Sequence, residues 1–302
     1  MREIFGGLTL VVLAFSLNGC FKDEEQYDAF DQLQTDLEII RDYFDRKNIV
    51  DAVYDSAYGL YYKVHDQGSG YKVARSGTVQ VIYEGFVLEG EKFISGGKPS
   101  LPREYVFASE FPDGITVGFD VGLGNLVAGD SATIWVPSPY GYQNKSYGIV
   151  VQPNDILEYH VRFVGIKLLE SELITIDQYI ADKGFDVTID PEFGTRYVVH
   201  SEGEGITVPK TGDQIITHYT GQLINGLQFD SSWESLIPFE YRYNNDDVII
   251  GFDLGFRHLT VGDSATFFIP STYGYKDKAQ GFIPANSVLV FGVKFLNLIE
   301  TN

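Results

Sequence analysis

Gln214-Ile215-Ile216-Thr217-His218-Tyr219-Thr220-Gly221-Gln222-Leu223 leads into Ile224-Asn225-Gly226-Leu227 and then Gln228-Phe229-Asp230-Ser231-Ser232. From Gln214 to Tyr219 the stretch mixes β-branched and aromatic residues, which suit a half-buried pleated surface. Asn225-Gly226 is a two-residue hairpin signal, because both residue types tolerate the positive φ of a tight primed turn. An antiparallel strand pair is therefore expected here. Further strands are expected over 265–269 and 288–296, with one short helix after Val248. The class is α+β with an antiparallel sheet.

The chain says this twice. Gly129-Asp130-Ser131-Ala132-Thr133 recurs as Gly262-Asp263-Ser264-Ala265-Thr266, and Gly118-Phe119-Asp120-Val121-Gly122 as Gly251-Phe252-Asp253-Leu254-Gly255. Pro139-Tyr140-Gly141-Tyr142 recurs as Thr272-Tyr273-Gly274-Tyr275, at the same offset of 133. Tyr83 and Phe93 recur as Tyr219 and Phe229 at an offset of 136, so the first copy carries three extra residues between Pro102 and Gly118. Upstream, Tyr61-Tyr62-Lys63-Val64-His65 matches Arg196-Tyr197-Val198-Val199-His200. Each of these runs precedes a turn, Gly68-Ser69-Gly70 or Gly203-Glu204-Gly205, that opens no helix and so is no phosphate loop. One period of about 135 residues means two domains, not a solenoid.

Each copy has a helical preface. Phe30, Leu33, Leu37, Ile40 and Phe44 recur at steps of three and four, as on one helix face. In the second preface Thr175 and Gln178 read as a capping box and Gly184 as a C-terminal stop.

Arg2 and an apolar run from Leu8 to Leu17 end in Leu17-Asn18-Gly19-Cys20. The run is too short to span a bilayer and reads as a signal peptide. Its end resembles a bacterial lipobox, which implies cleavage before Cys20 and lipid on Cys20. Cysteine occurs nowhere else, so no disulfide can form within the chain. Lys22-Asp23-Glu24-Glu25 resembles the export tag of Bacteroidetes-type surface lipoproteins, or is simply a polar tether. The expected organisation is 1–19 signal peptide, 20–50 acidic tether and amphipathic helix, 51–168 first domain, and 169–302 helical linker and second domain.

A net charge of −20 repels phosphate backbones, so nucleic acid is not an expected partner. The five histidines show no metal-ligand spacing, and no metal or other cofactor is expected. Aromatics make up 15% of the chain, enough to line a pocket as well as a core. Exposed aromatics would also fit a carbohydrate-binding surface, a reading with no other support.

The ordered set His218-Tyr219-Thr220-Gly221, Gly226, Phe229-Asp230-Ser231-Ser232, Pro238-Phe239, Val248-Ile249-Ile250-Gly251-Phe252, Tyr273-Gly274-Tyr275 and Gly281-Phe282-Ile283-Pro284 through Phe291 resembles the FKBP-type peptidyl-prolyl isomerase signature over 195–299. The resemblance implies a twisted antiparallel sheet wrapped around a short helix, in each of two tandem domains. It implies a prolyl pocket built from Tyr219, Phe229, Asp230, Ile249, Phe252 and Tyr275, with Phe239, Val248, Ile283 and Phe291 also touching substrate. Phe252 stands where the family usually has Trp. Implied partners are proline-containing polypeptide clients and macrolide immunophilin ligands. The implied role is a folding helper for exported proteins, held to the envelope by lipid. A non-catalytic client- or partner-binding lipoprotein is the alternative.

The first copy departs from this pattern. Asp230, Ile249 and Phe239 face Ile94, Thr116 and Arg103, and the Pro284 loop becomes Val150-Val151-Gln152-Pro153. Arg103 is expected to turn to solvent, leaving a gap and a weak or inactive site.

Overall fold

A computed structural model of the chain describes residues 27–108 and 115–301. The signal-peptide, Cys20 and export-tag readings fall outside the described residues. Helix α1, Ala29–Lys47, starts where the Asp28 carboxylate accepts the Phe30 and Asp31 N–H groups, and stops at Asn48 in the left-handed region. Strands β1 Val53–Asp55, β2 Leu60–Asp66, β3 Thr78–Val87, β4 Lys92–Gly96 and β5 Arg103–Val106 follow, then α2 Val117–Gly124, β6 Ser131–Val136 and β7 Leu157–Ile166. The second copy repeats the series. Helix α3, Leu169–Lys183, precedes β8 Thr188–Ile189, β9 Arg196–Ser201, β10 Gln214–Leu223, β11 Gln228–Ser231 and β12 Phe239–Arg242. Helix α4 Ile250–Phe256, β13 Ser264–Ile269 and β14 Leu289–Ile299 complete it.

The two antiparallel sheets have one topology. The first runs β1-β2-β6-β7-β3-β4 with β5 also on β3; the second runs β8-β9-β13-β14-β10-β11 with β12 also on β10. Val81 pairs with Arg103 as Thr217 pairs with Phe239, and Gly85 pairs with Ile94 as Gly221 pairs with Asp230. The register thus agrees with the sequence alignment of the copies. In each, a short helix lies against its sheet: Phe119 and Leu123 of α2, and Phe252 and Phe256 of α4, are nearly or fully buried. The expected α+β architecture is present in both copies. The three extra residues fall between β5 and α2, at 107–115.

The repeated Gly-Asp-Ser-Ala-Thr motif is structural. Asp130 accepts the Gly68 and Val127 N–H groups at 2.6 and 2.8 Å; Asp263 accepts those of Gly203 and Thr260, both at 2.7 Å. A Cβ on Gly68 or Gly203 would sit 2.4 or 2.3 Å from the Ala128 or Val261 carbonyl oxygen. The glycine turns therefore hold two backbones in contact.

Two expectations about the prefaces fail. Phe30 is 68% exposed, because it lies in the first turn of α1, beyond the surface that Ile40 and Phe44 cover against Trp135 and Ile156; Leu37 is buried. Helix α3 begins at Leu169, well before Thr175. Leu169, Leu173, Ile176 and Ile180 form its buried stripe, so packing extends the helix past the supposed cap. Thr175 lies inside it and donates to the Ser171 carbonyl. Gly184 does end it, at φ 69°.

Candidate functional site

Helix α4 and four strands converge on one end of the second sheet. Strand β10 supplies Tyr219, and the hairpin returns Phe229 and Asp230 on β11. At the centre Gly221 pairs with both Asp230 and Phe291. A Cβ there would lie 2.6 Å from the Phe229 ring and 2.9 Å from the Phe291 ring, so only glycine lets these rings close over the strand. Strand β12 brings Phe239. Ile249 is the N-cap residue of α4, and Phe252 follows in its first turn. Tyr275 comes just after the 3-10 turn Ser271–Tyr273.

These residues enclose a cavity of about 170 Å³, lined by Tyr219, Phe229, Asp230, Phe239, Val248, Ile249, Phe252, Tyr275 and Phe291, with Asp247 as a tenth. The rings meet edge-on. Tyr219 lies 5.4 Å from Phe239, Phe229 5.6 Å from Phe291, and Phe252 5.2 Å from Phe291. Phe252 is 3% exposed and lines the cavity. Of the expected set, only Ile283 does not line the cavity. It is 5% exposed and packed in the core, because the Gln280–Ile283 backbone bridge and Gly281 at φ 56° turn it inward and present Phe282 outward instead. Asp247 was not foreseen. Its carboxylate accepts the Arg242 N–H, closing the loop that leads to α4.

The polar groups are few and oriented. The Tyr219 hydroxyl donates to Asp230 at 2.5 Å, and Asp230 also takes its neighbour Ser231's N–H. Burial, then the nearby Asp230, push the Tyr219 pKa up; burial, then the Asp230 charge, do the same for Tyr275. Both phenols are therefore protonated donors near neutral pH. Asp230 is engaged as an orienter of Tyr219.

The first copy holds the matching residues in a closed arrangement. Tyr83, Phe119 and Tyr159 are at most 2% exposed, and Thr116 caps α2 by accepting the Phe119 N–H. Tyr159 replaces Phe291 and brings its hydroxyl 3.4 Å from that of Thr116. Tyr147, where the second copy has Gln280, stacks on Tyr142 at 4.4 Å and meets Phe93 edge-on at 6.1 Å. Arg103 is exposed, as expected. Tyr147 escaped the sequence reading because it lies on a loop with no partner in the motif set.

The model of the FKBP-type peptidyl-prolyl cis-trans isomerase family matches residues 70–164 and 205–296. The chain belongs to that family, with two copies of its domain. FK506-binding protein 1 of Saccharomyces cerevisiae is 46% identical over 99 residues, 32% of this chain and 87% of that protein. Mouse peptidyl-prolyl cis-trans isomerase FKBP9 is 26% identical over 220 residues, 72% of this chain and 34% of its own length. Among solved structures, FkpA from Escherichia coli is 29% identical with a TM-score of 0.39, covering 44% of this chain and 60% of that one.

Proposed function

We propose that this FKBP-type chain isomerises X-Pro bonds through the second-domain cavity, and that the first domain is a scaffold with little or no turnover. The observation carrying this reading is the pairing of a 170 Å³ aromatic cavity with two hydrogen-bond donors at its edge, the Ile249 N–H and the Tyr275 hydroxyl. Neither donates to another group among the described residues. A planar X-Pro amide is held by resonance that separates charge between nitrogen and oxygen, with a rotation barrier of about 18–20 kcal/mol. The twisted transition state has lost that resonance and is less polar, so an apolar wall favours it over the ground state. Phe229, Phe239, Phe252 and Phe291 would hold the ring, while Ile249 and Tyr275 would anchor substrate carbonyls. The chemistry requires no nucleophile, metal or proton transfer.

The first domain's ring cluster supports the asymmetry. Tyr83 and Tyr159 are buried where Tyr219 is half-open, so a prolyl ring would have to displace packed side chains. The lipobox resemblance at Cys20 supports an exported, lipid-anchored helper acting on proline-containing envelope clients. The second reading, a non-catalytic client-binding lipoprotein, fits the first domain's closed site best. The test is acceleration of cis-to-trans conversion in a proline peptide by the full-length chain. The folded chain is expected to accelerate it, and to lose that acceleration with Phe229→Ala.

A further inference from the structure

The turn that delivers Tyr275 is held from two sides by parts of the chain outside the second sheet. On one side Glu172 of α3, 8% exposed, uses both carboxylate oxygens. Its Oε2 accepts the Ser271 N–H at 2.6 Å and its Oε1 the Ser271 hydroxyl at 2.5 Å. A buried charge held by two donors is costly to displace, so the turn's position is tied to the helix. On the other side Tyr273 is fully buried, and its one hydroxyl proton faces two long-range acceptors, the carbonyls of Lys72, from the first domain, at 3.5 Å and of Phe193 at 3.4 Å. The Tyr273 ring also lies beside Gly77 of the first domain.

The first copy is a built-in comparison. There Asp36 of α1 caps the equivalent turn, accepting the Ser138 N–H at 2.6 Å, but Tyr140 is only half-buried and rests near Tyr58. The opposing grip on Tyr273 is thus peculiar to the second copy, whose turn leads to the open cavity.

We propose that Glu172 is a positioning residue for the second-domain prolyl site. It sets the Tyr275 hydroxyl by anchoring the Ser271–Tyr273 turn, with the 72–77 segment of the first domain as the opposing jaw on Tyr273. The inference rests on the reading that this cavity takes the prolyl ring. It gives α3 and the closed first domain a task in the activity, and makes the two copies one working unit.

The experiment uses the full-length chain and measures the dissociation constant for FK506, a macrolide, by titration calorimetry. The variants are Glu172→Ala, Glu172→Gln, Tyr275→Phe, the Glu172→Ala/Tyr275→Phe double variant and, as a control in the first copy, Asp36→Ala. Glu172→Ala is expected to weaken binding about three- to tenfold, the range of one lost hydrogen bond. Glu172→Gln, which keeps an acceptor, should weaken it less, and it keeps the test open should Glu172→Ala fail to fold. In the Tyr275→Phe background Glu172→Ala should add almost nothing, since both act through one hydroxyl. Asp36→Ala should bind like the parent. Full additivity with Tyr275→Phe, parent-like binding by both Glu172 variants, or an equal loss from Asp36→Ala overturns the proposal. A folded parent chain that does not bind FK506 overturns instead the reading of the cavity.

Discussion

Replacing Asp253 by Asn should make the chain's stability less sensitive to pH, with a calculable size. Asp253 lies on α4 next to the pocket floor, 3% exposed, and neither carboxylate oxygen has a hydrogen-bond partner among the described residues. Burial pushes its pKa from 3.8 up to about 6; the nearby Asn244 N–H and Tyr241 hydroxyl favour the charge slightly but lie outside hydrogen-bonding geometry. An acid with a raised folded pKa binds its proton more tightly when folded. Its contribution is therefore fully present below about pH 4, is lost as pH rises to about 6, and changes little above that. A shift of about two units corresponds to about 3 kcal/mol. Asn cannot ionise, so whatever constant cost it carries, the stability difference between variant and parent should move about 3 kcal/mol in the variant's favour across that window. The assay is urea unfolding of both proteins at several pH values from about 4 to 7.5. A difference independent of pH would refute the buried, uncompensated carboxylate.

The other expectations are simpler. Tyr275→Phe should weaken FK506 binding by about 0.5–1.5 kcal/mol, read by calorimetry, because it removes one donor while keeping the ring. Phe229→Ala should cost more in the same assay, through lost contact with the bound ring and with Phe291, which lies 5.6 Å away. Cys20→Ser should release the protein from membranes and abolish lipid labelling; unchanged fractionation and labelling would end the lipoprotein reading.

What the sequence made legible was local in the chain or tied to strand register. Tyr219 and Asp230 belong to one hairpin, and alternation with the Asn225-Gly226 turn puts them on one face, whereas Phe229, the next residue, lines the cavity beside a slip in the pairing at Gly221/Gln222 and was named only through the family resemblance. Phe252 and Phe291 were placed by the resemblance to the FKBP-type signature. Contacts between distant segments stayed hidden. Nothing near Glu172 announces that it caps a turn 99 residues away, and nothing near Tyr147 announces that it stacks on Tyr142. Ile283 falls outside the cavity lining because motif spacing fixes where a residue falls in a loop and not which way its side chain turns. Asp36 and Glu172 sit among the apolar positions of α1 and α3, where a hydrophobic pattern assigns acids to the solvent.

The central claim is that the second cavity isomerises prolyl bonds and the first does not. The most direct test is cis-to-trans conversion of one proline peptide, followed with the full-length parent chain, Phe239→Arg and Tyr142→Phe, each confirmed as folded. Phe239→Arg installs the first copy's residue at a half-buried wall, a loss expected near 1.4 kcal/mol of transition-state stabilisation, or about tenfold in rate. Tyr142→Phe, in the closed first site, should match the parent. Equal rates for parent and Phe239→Arg, a loss confined to Tyr142→Phe, or no acceleration by the parent would contradict the account.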